Sequence, residues 1–269
     1  MQLLICPLCH EPLNDHEQSV NCLNHHSFDK AKQGYLNLLP VQYRNSRAPG
    51  DNLEMVMARR EFLGAGHYAP LAKRFAELAK LQKPSNWLDI GCGEGYYSNQ
   101  LLQSLPHSTG YALDISKDAI KQAAKLTKQI HWLVASMAHV PLANQSCDLI
   151  ATIFSPFNWS EALRIMNAQG AILRLGPANN HLIELREKLY DEVRPYQDDK
   201  HLQQVPNELM LDFTDYLTFP LNLKEAQDRK NLLAMTPHGW RANIKKRETV
   251  IAEPLTVTVA VRYDYFKFK

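Results

Sequence analysis

The stretch "LDIGCGEGYY", residues 88–97, constrains the fold of this 269-residue chain more than any other. A short apolar run reaches an acid, Asp89, then turns on Gly91, Gly93 and Gly95 into a helix-forming segment, "YYSNQLLQSL". Glycines at a strand-to-helix junction let the backbone turn tightly and approach a ligand closely. The same unit then recurs. "STGYALDIS" reads as a strand ending on Asp114, "KDAIKQAAKLT" as a helix, and "IHWLVAS" and "SCDLIATIFSPF" as strands. "WSEALRIMNAQG" reads as a helix and "AILRLGP" as the fifth strand. Such alternation predicts an α/β fold with a mainly parallel, doubly wound sheet and ligands at the carboxyl ends of its strands. A polar stretch read as helical follows, and the alternating "LTVTVAVRYDYFKF" closes the chain as a strand expected to run antiparallel. Ahead of the turn, "DNLEMVMARREFLGAG" places Leu53, Val56, Met57, Arg60 and Leu63 at helical spacing, and "YAPLAKRFAELAKL" has Pro70 in its first turn.

The chemistry of the turn narrows the ligand. A dinucleotide fold expects G-x-G-x-x-G with a pyrophosphate on the helix N-terminus. Here the glycine spacing is shorter, and an acid sits two residues before the first glycine. S-adenosylmethionine carries an ammonium, a carboxylate and a sulfonium in place of a pyrophosphate, which suits an acidic turn. Asp114, at the end of the next strand, is placed to accept both ribose hydroxyls. Ala135, Ser136 and Met137 follow the third strand, where backbone and apolar contacts to adenine are expected. Ser155-Pro156-Phe157 follows the fourth strand, where enzymes that methylate exocyclic amines carry a related run with two prolines. With one proline, an ordinary strand-end turn is the simpler reading.

Three of the five cysteines crowd into the N-terminus as Cys6-x2-Cys9 and Cys22, followed by His25 and His26. Two close pairs across a loop can converge on one Zn²⁺, with thiolates near 2.3 Å and imidazole near 2.0 Å. The predicted ligands are Cys6, Cys9, Cys22 and His26, with His25 an alternative that spacing does not separate. Four protein ligands leave no open position, so the metal is expected to be structural. It would stabilise a segment too short to hold a core alone.

No apolar run approaches the roughly 18–20 residues that span a bilayer. The N-terminus has no secretory pattern, so a cytoplasmic protein with reduced thiols is expected. Net charge is only +2, which makes local charge the better guide. After the cysteines, Lys30, Lys32, Arg44 and Arg47 run without an intervening acid, interleaved with Tyr35 and Tyr43. Basic and aromatic residues so mixed suit RNA phosphates and bases, although a solvated connector reads equally well. Lys117, Lys121 and Lys125 form a further stripe, and Arg241, Lys245, Lys246 and Arg247 a late cluster. Each reads first as a solvated face.

Taken together, the cysteine spacing, "FDKAKQGYLNLLPVQ" from Phe28, "ARREFLGAGHYAPL" from Ala58, "LDIGCGEGYY" and the late "MTPHGWRA" resemble the bacterial 23S rRNA guanine-N1 methyltransferases over essentially the whole chain. The resemblance implies a class I S-adenosylmethionine-dependent methyltransferase fold, Rossmann-like, with a small N-terminal zinc-binding domain. It also implies methylation of N1 of a guanine in hairpin 35 of 23S rRNA, and a homodimer forming an RNA-binding cleft. "LNLLPVQ" looks closer to the branch typical of Gram-negative bacteria. Tyr68 and His181 carry over as cofactor contacts beside Asp89, Gly91, Gly93, Glu94, Gly95, Tyr96 and Asp114. No catalytic base emerges. Glu184 and Glu94 are candidates on position alone, and transfer from a sulfonium can proceed largely through positioning.

The expected organisation is a zinc-binding, RNA-recognising domain over 1–36, a basic connector and helix over 37–70, and a methyltransferase domain over 71–269. Removing 1–36 is then expected to abolish RNA methylation and leave cofactor binding largely intact. Two other classes compete, a metabolite methyltransferase of similar core and a non-catalytic cofactor-binding protein. The zinc segment argues against the first, and the intact turn with Asp114 against the second.

Overall fold

The computed structural model describes residues 2–43 and 49–269, so Arg44 and Arg47 of the basic connector lie outside the described residues. The N-terminal segment carries three short strands, β1 (Asn14–Asp15), β2 (Ser19–Asn21) and β3 (Ser27–Asp29), paired antiparallel in that order. β4 (Leu36–Asn37) leaves this unit and pairs parallel with a strand of the main sheet. Helices α1 (Leu53–Gly64) and α2 (Ala69–Ala79) follow. Asn52 starts α1 by accepting from the Met55 N–H at 3.0 Å, and Pro70 sits in the first turn of α2, where its missing N–H costs nothing.

Except that the fifth strand begins at Met166, inside the segment read as helix through Gly170, the alternating region forms in the predicted order. It comprises β5 (Asn86–Ile90), α3 (Tyr96–Ser104), β6 (Thr109–Asp114), α4 (Lys117–Ala123), β7 (Ile130–Val134), β8 (Cys147–Ile153), α5 (Trp159–Ile165), β9 (Met166–Pro177) and α6 (Ile183–Leu189). Then come β10 (Leu209–Leu223), α7 (Ala226–Met235), α8 (Pro237–Arg241), α9 (Ile244–Ala252) and β11 (Leu255–Phe268). The sheet has eight strands in the order β10-β11-β9-β8-β5-β6-β7-β4. β11 runs antiparallel to both neighbours, as expected for the last strand, and the pairs from β9 through β4 are parallel. β10 corrects the sequence reading, which took its region as helical. It is an edge strand with one side largely solvated, so its alternation is diluted by Asp212, Thr214, Asp215 and Pro220, residues that an edge tolerates.

Two apolar cores flank the sheet. One packs α1, α2 and α6 against Trp87, Leu149, Leu173, Val259 and Tyr263. On the other face, no helix bridges β7 to β8. Residues 135–146 run as a loop, and the N-terminal unit takes the space. Leu4, Leu13, Val20, Cys6 and Cys22 are buried in one cluster with Tyr111, Leu133, Val140 and Leu142. Backbone hydrogen bonds from Ile5 N to Pro141 O and from Ala143 N to Leu3 O stitch the two together. No helix among the described residues is long and apolar enough to cross a membrane.

Candidate cofactor and metal sites

Cys6, Cys9, Cys22 and His26 bring their ligand atoms within 4.8 Å of one another. The Cys9 and Cys22 sulfurs lie 3.6 Å apart, and His26 Nδ1 is 3.5 Å from the sulfurs of both Cys6 and Cys22. A tetrahedron with Zn–S bonds of about 2.3 Å has edges of about 3.8 Å, slightly shorter where nitrogen replaces sulfur, so the donor set fits Zn²⁺. Two matching turns build it. His10 N donates to Cys6 O at 2.9 Å and His25 N to Cys22 O at 3.0 Å, with both histidines in the left-handed region (φ 63° and 61°). His25 is therefore the turn residue, exposed and outside the cluster, and His26 supplies the fourth donor.

At the other site, β5 delivers Asp89 and β6 delivers Asp114 to the carboxyl edge of the sheet, with the glycine turn between them. Gly91 N and Cys92 N donate to Leu113 O at 2.9 and 3.0 Å, and Gly93 N donates to Asp114 Oδ2 at 3.0 Å. All three glycines have positive φ. A Cβ on Gly95 would stand 2.7 Å from Trp132, and one on Gly91 would collide with Ser155 Oγ, so the turn is closed to larger residues. Asp114 Oδ1 also accepts from Ser116 N at 2.8 Å, which leaves each carboxylate oxygen a free lone pair.

Asp89, Glu94 and Asp114 crowd this turn, and burial raises the pKa of each. Asp89, fully buried, is pushed up to about 7 by its burial, against a lowering hydrogen bond from Ser98 Oγ at 2.5 Å and with added repulsion from Asp114 and Glu94. Arg59 of α1 lies over Gly93, paired with Asp51 at 2.5 Å and attracted by Glu94 and Asp114. Asp89 Oδ1, Glu94 Oε2, Tyr68 Oη and Tyr97 Oη are buried polar atoms without a partner. Orphaned acceptors in an acidic pocket call for a cationic, hydrogen-bonding ligand and would repel a pyrophosphate. S-adenosylmethionine, which carries a cationic ammonium and sulfonium in place of a pyrophosphate, fits such a pocket.

Tyr68 and His181, far apart in sequence, come together here. Their rings are 6.4 Å apart and both are buried, with Phe154 stacked on His181 at 5.6 Å. His181 Nδ1 accepts from Ala260 N at 3.3 Å, and burial first, then His238, pulls its pKa down to about 3, so the ring is neutral. Tyr96 is half-buried beside Tyr97. Of the candidate bases, Glu184 is spent in accepting from Thr258 N at 2.7 Å and Thr258 Oγ1 at 2.5 Å, and Glu94 is buried under the turn. Sequence reasoning missed Arg59 and Phe154. Arg59 lay inside a helix pattern, and Phe154 in a run read only as strand.

Several expected RNA contacts are engaged elsewhere. Tyr35 is buried in the main core, Tyr43 stacks on His139 at 4.1 Å, and Lys30 pairs with Asp15. Lys32, Lys117, Lys121 and Lys125 are exposed, as are Arg241 and Lys245, whereas Lys246 pairs with Asp191 at 2.5 Å and Arg247 donates to Gly239 O at 3.2 Å. Ala135 is buried, and Phe157 packs edge-on against Trp159 at 4.8 Å.

Comparison with known proteins finds both kinds of domain in the chain. A zinc-ribbon family described as "RlmA, N-terminal" matches residues 4–47, and a "Methyltransferase domain" family matches 88–176. The chain is 32% identical to the 23S rRNA (guanine(748)-N(1))-methyltransferase of Streptomyces fradiae over 94% of its length and 91% of the relative's. The chain belongs to the 23S rRNA (guanine-N1)-methyltransferase family. A Micromonospora griseorubida relative provisionally named for the same reaction is also 32% identical, over 98% of this chain and 97% of that protein. Among solved structures, coclaurine N-methyltransferase bound to N-methylheliamine and S-adenosylhomocysteine shares the fold, with a TM-score of 0.50 at 11% identity, covering 85% of this chain and 76% of that one. As a member of this family the chain is an S-adenosylmethionine-dependent methyltransferase with a zinc ribbon.

Proposed function

We propose that this enzyme transfers a methyl group to N1 of a guanine in hairpin 35 of 23S rRNA, acting as a cytoplasmic homodimer. The observation that carries the reading is the zinc ribbon's place in the fold. It shares one buried core with the sheet that carries the cofactor turn. A metabolite enzyme has no need of a rigid second surface beside its site, whereas an enzyme that selects one base of a folded RNA does. The relatives named for guanine-N1 methylation of 23S rRNA support the same substrate.

Bound S-adenosylmethionine supplies an electrophilic methyl group on its sulfonium. The chain's part is to hold that group with Asp89, Glu94 and Asp114, to close the turn beneath it, and to present guanine N1 in line with the methyl. As its electron pair took up the methyl group, with the sulfur keeping the pair of the broken bond, guanine N1 would pass its proton to water. Neither Glu94 nor Glu184 is placed to accept it, so positioning carries the rate. A base-paired N1 is out of reach, so the target is a looped or flipped guanine. Incubating the enzyme with labelled S-adenosylmethionine and 23S rRNA, then digesting and separating nucleosides by mass spectrometry, should yield 1-methylguanosine at a single position. N2-methylguanosine would redirect attention to Ser155-Pro156-Phe157, and unmethylated RNA would support the metabolite reading. Light scattering should give twice the chain mass.

A further inference from the structure

Phe154 directly follows β8 with φ 50°, in the left-handed region that bulky residues avoid. Its backbone is held there. Its N–H donates to Leu175 O at 3.0 Å, and the next residue, Ser155, fills the space that Gly91 leaves open. The ring is 40% exposed, while the rings behind it, His181 and Tyr68, are 6% and 2% exposed. His181 lies nearly parallel to it at 5.6 Å and 27°, and Tyr68 is 6.3 Å away. The result is a stack of aromatic rings with one open face at the carboxyl edge of a central strand, beside the orphaned polar atoms of the cofactor site. Core packing does not demand it. The Phe154 ring is part of neither apolar core, whereas Phe157 and Trp159 pack into the core on the other face of the sheet, with Trp159 edge-on to Phe266 at 5.2 Å. A strained residue that presents an apolar ring to solvent at a functional edge is held there for what it touches.

We propose that Phe154 is the platform on which the acceptor guanine stacks, backed by His181 and Tyr68. This rests on the reading that the enzyme methylates a nucleobase, and it assigns to Phe154 the place that the Ser155-Pro156-Phe157 run suggested for Phe157. A planar base laid on the ring is held with its edge free to meet the methyl group.

The test uses the full-length enzyme with Phe154→Ala, Phe154→Gly and Phe154→Trp, measuring RNA methylation at saturating cofactor, cofactor affinity by calorimetry, and melting temperature. Losing one stacked base should lower kcat/KM for RNA about tenfold to a hundredfold in the Ala and Gly variants. Phe154→Trp should retain activity. Cofactor Kd should stay within about twofold, and Phe154→Gly should melt no lower than wild type, because glycine suits a positive φ. Unchanged kcat/KM in the Ala and Gly variants overturns the platform while leaving the function reading intact. A Kd that weakens in step with kcat/KM makes Phe154 a cofactor contact and also overturns it. Melting temperatures that fall for both small variants make it a packing residue. If wild type itself leaves all guanines unmethylated, the function reading fails and the platform with it.

Discussion

Asp89 shows how one carboxyl group couples the cofactor to pH. Its Oδ2 is satisfied by Ser98, its Oδ1 by nothing, and burial lifts its pKa to about 7. The free fold therefore favours the protonated acid. That preference stabilises it fully below the ordinary Asp value of about 3.9 and is lost as pH rises through about 7. A cofactor ammonium beside Oδ1 reverses the balance, because it binds the carboxylate. Calorimetry should thus show S-adenosylmethionine affinity rising from pH 6 toward pH 8. Asp89→Asn should bind weakly with that slope gone, and the free variant should be more stable than wild type at pH 8. A slope that survives the substitution would place the titrating group elsewhere. At this scale the sequence was most legible: acid, glycines and acid fall at fixed positions around one turn. Tyr68 and His181 carried no such signal, since only the meeting of α2's start with the β9–α6 loop makes them neighbours. Arg59 and Phe154 stayed hidden for a related reason. The importance of the first depends on three acids brought to it, and that of the second on a backbone angle.

At the scale of elements, the strands buried on both sides announced themselves as apolar runs, while β10 did not. Its inward residues Phe213, Leu217, Phe219 and Leu221 do alternate, but they are only partly covered, and acids and a proline interrupt the pattern. Its pairing with β11 is pinned by a buried polar cluster. Asp264, 1% exposed, accepts from His201 Nε2 at 2.7 Å, Arg262 Nε at 2.7 Å and Thr214 Oγ1 at 2.8 Å. Burial alone would raise its pKa, but these donors prevail and hold it below the ordinary value. Stability from this group is present above about pH 4 and is lost as pH falls through its depressed folded value. Asp264→Asn leaves Arg262 buried beside a neutral amide, and should cost about 3 kcal/mol at pH 7 in urea unfolding. It should also flatten part of the acid limb of the stability curve. Loss below about 1 kcal/mol would show that Arg262 finds Asp198, 4.0 Å away, as a substitute.

For the whole molecule, the decisive feature is that a metal-bound unit stands where the crossover between β7 and β8 has no helix. The cysteine spacing told of a zinc ribbon but not of its partner, because Leu4, Leu13 and Val20 carry no mark of the sheet face they cover. With those side chains buried against Tyr111, Leu133 and Leu142, deleting 1–36 would bare that face to water, so cofactor binding is not expected to survive as it would in a separable appendage. Metal loss is the finer test. Cys9→Ser should remove about one zinc per chain by metal analysis, since three remaining donors close the site poorly. If ribbon and sheet form one cooperative unit, calorimetry should then show a single transition moved to lower temperature for the entire chain. Two transitions, with the upper one unmoved and cofactor affinity intact, would instead mean that the methyltransferase fold stands alone and that the ribbon rides on it. Zinc retained after Cys9 and Cys22 are both replaced would remove the metal site itself.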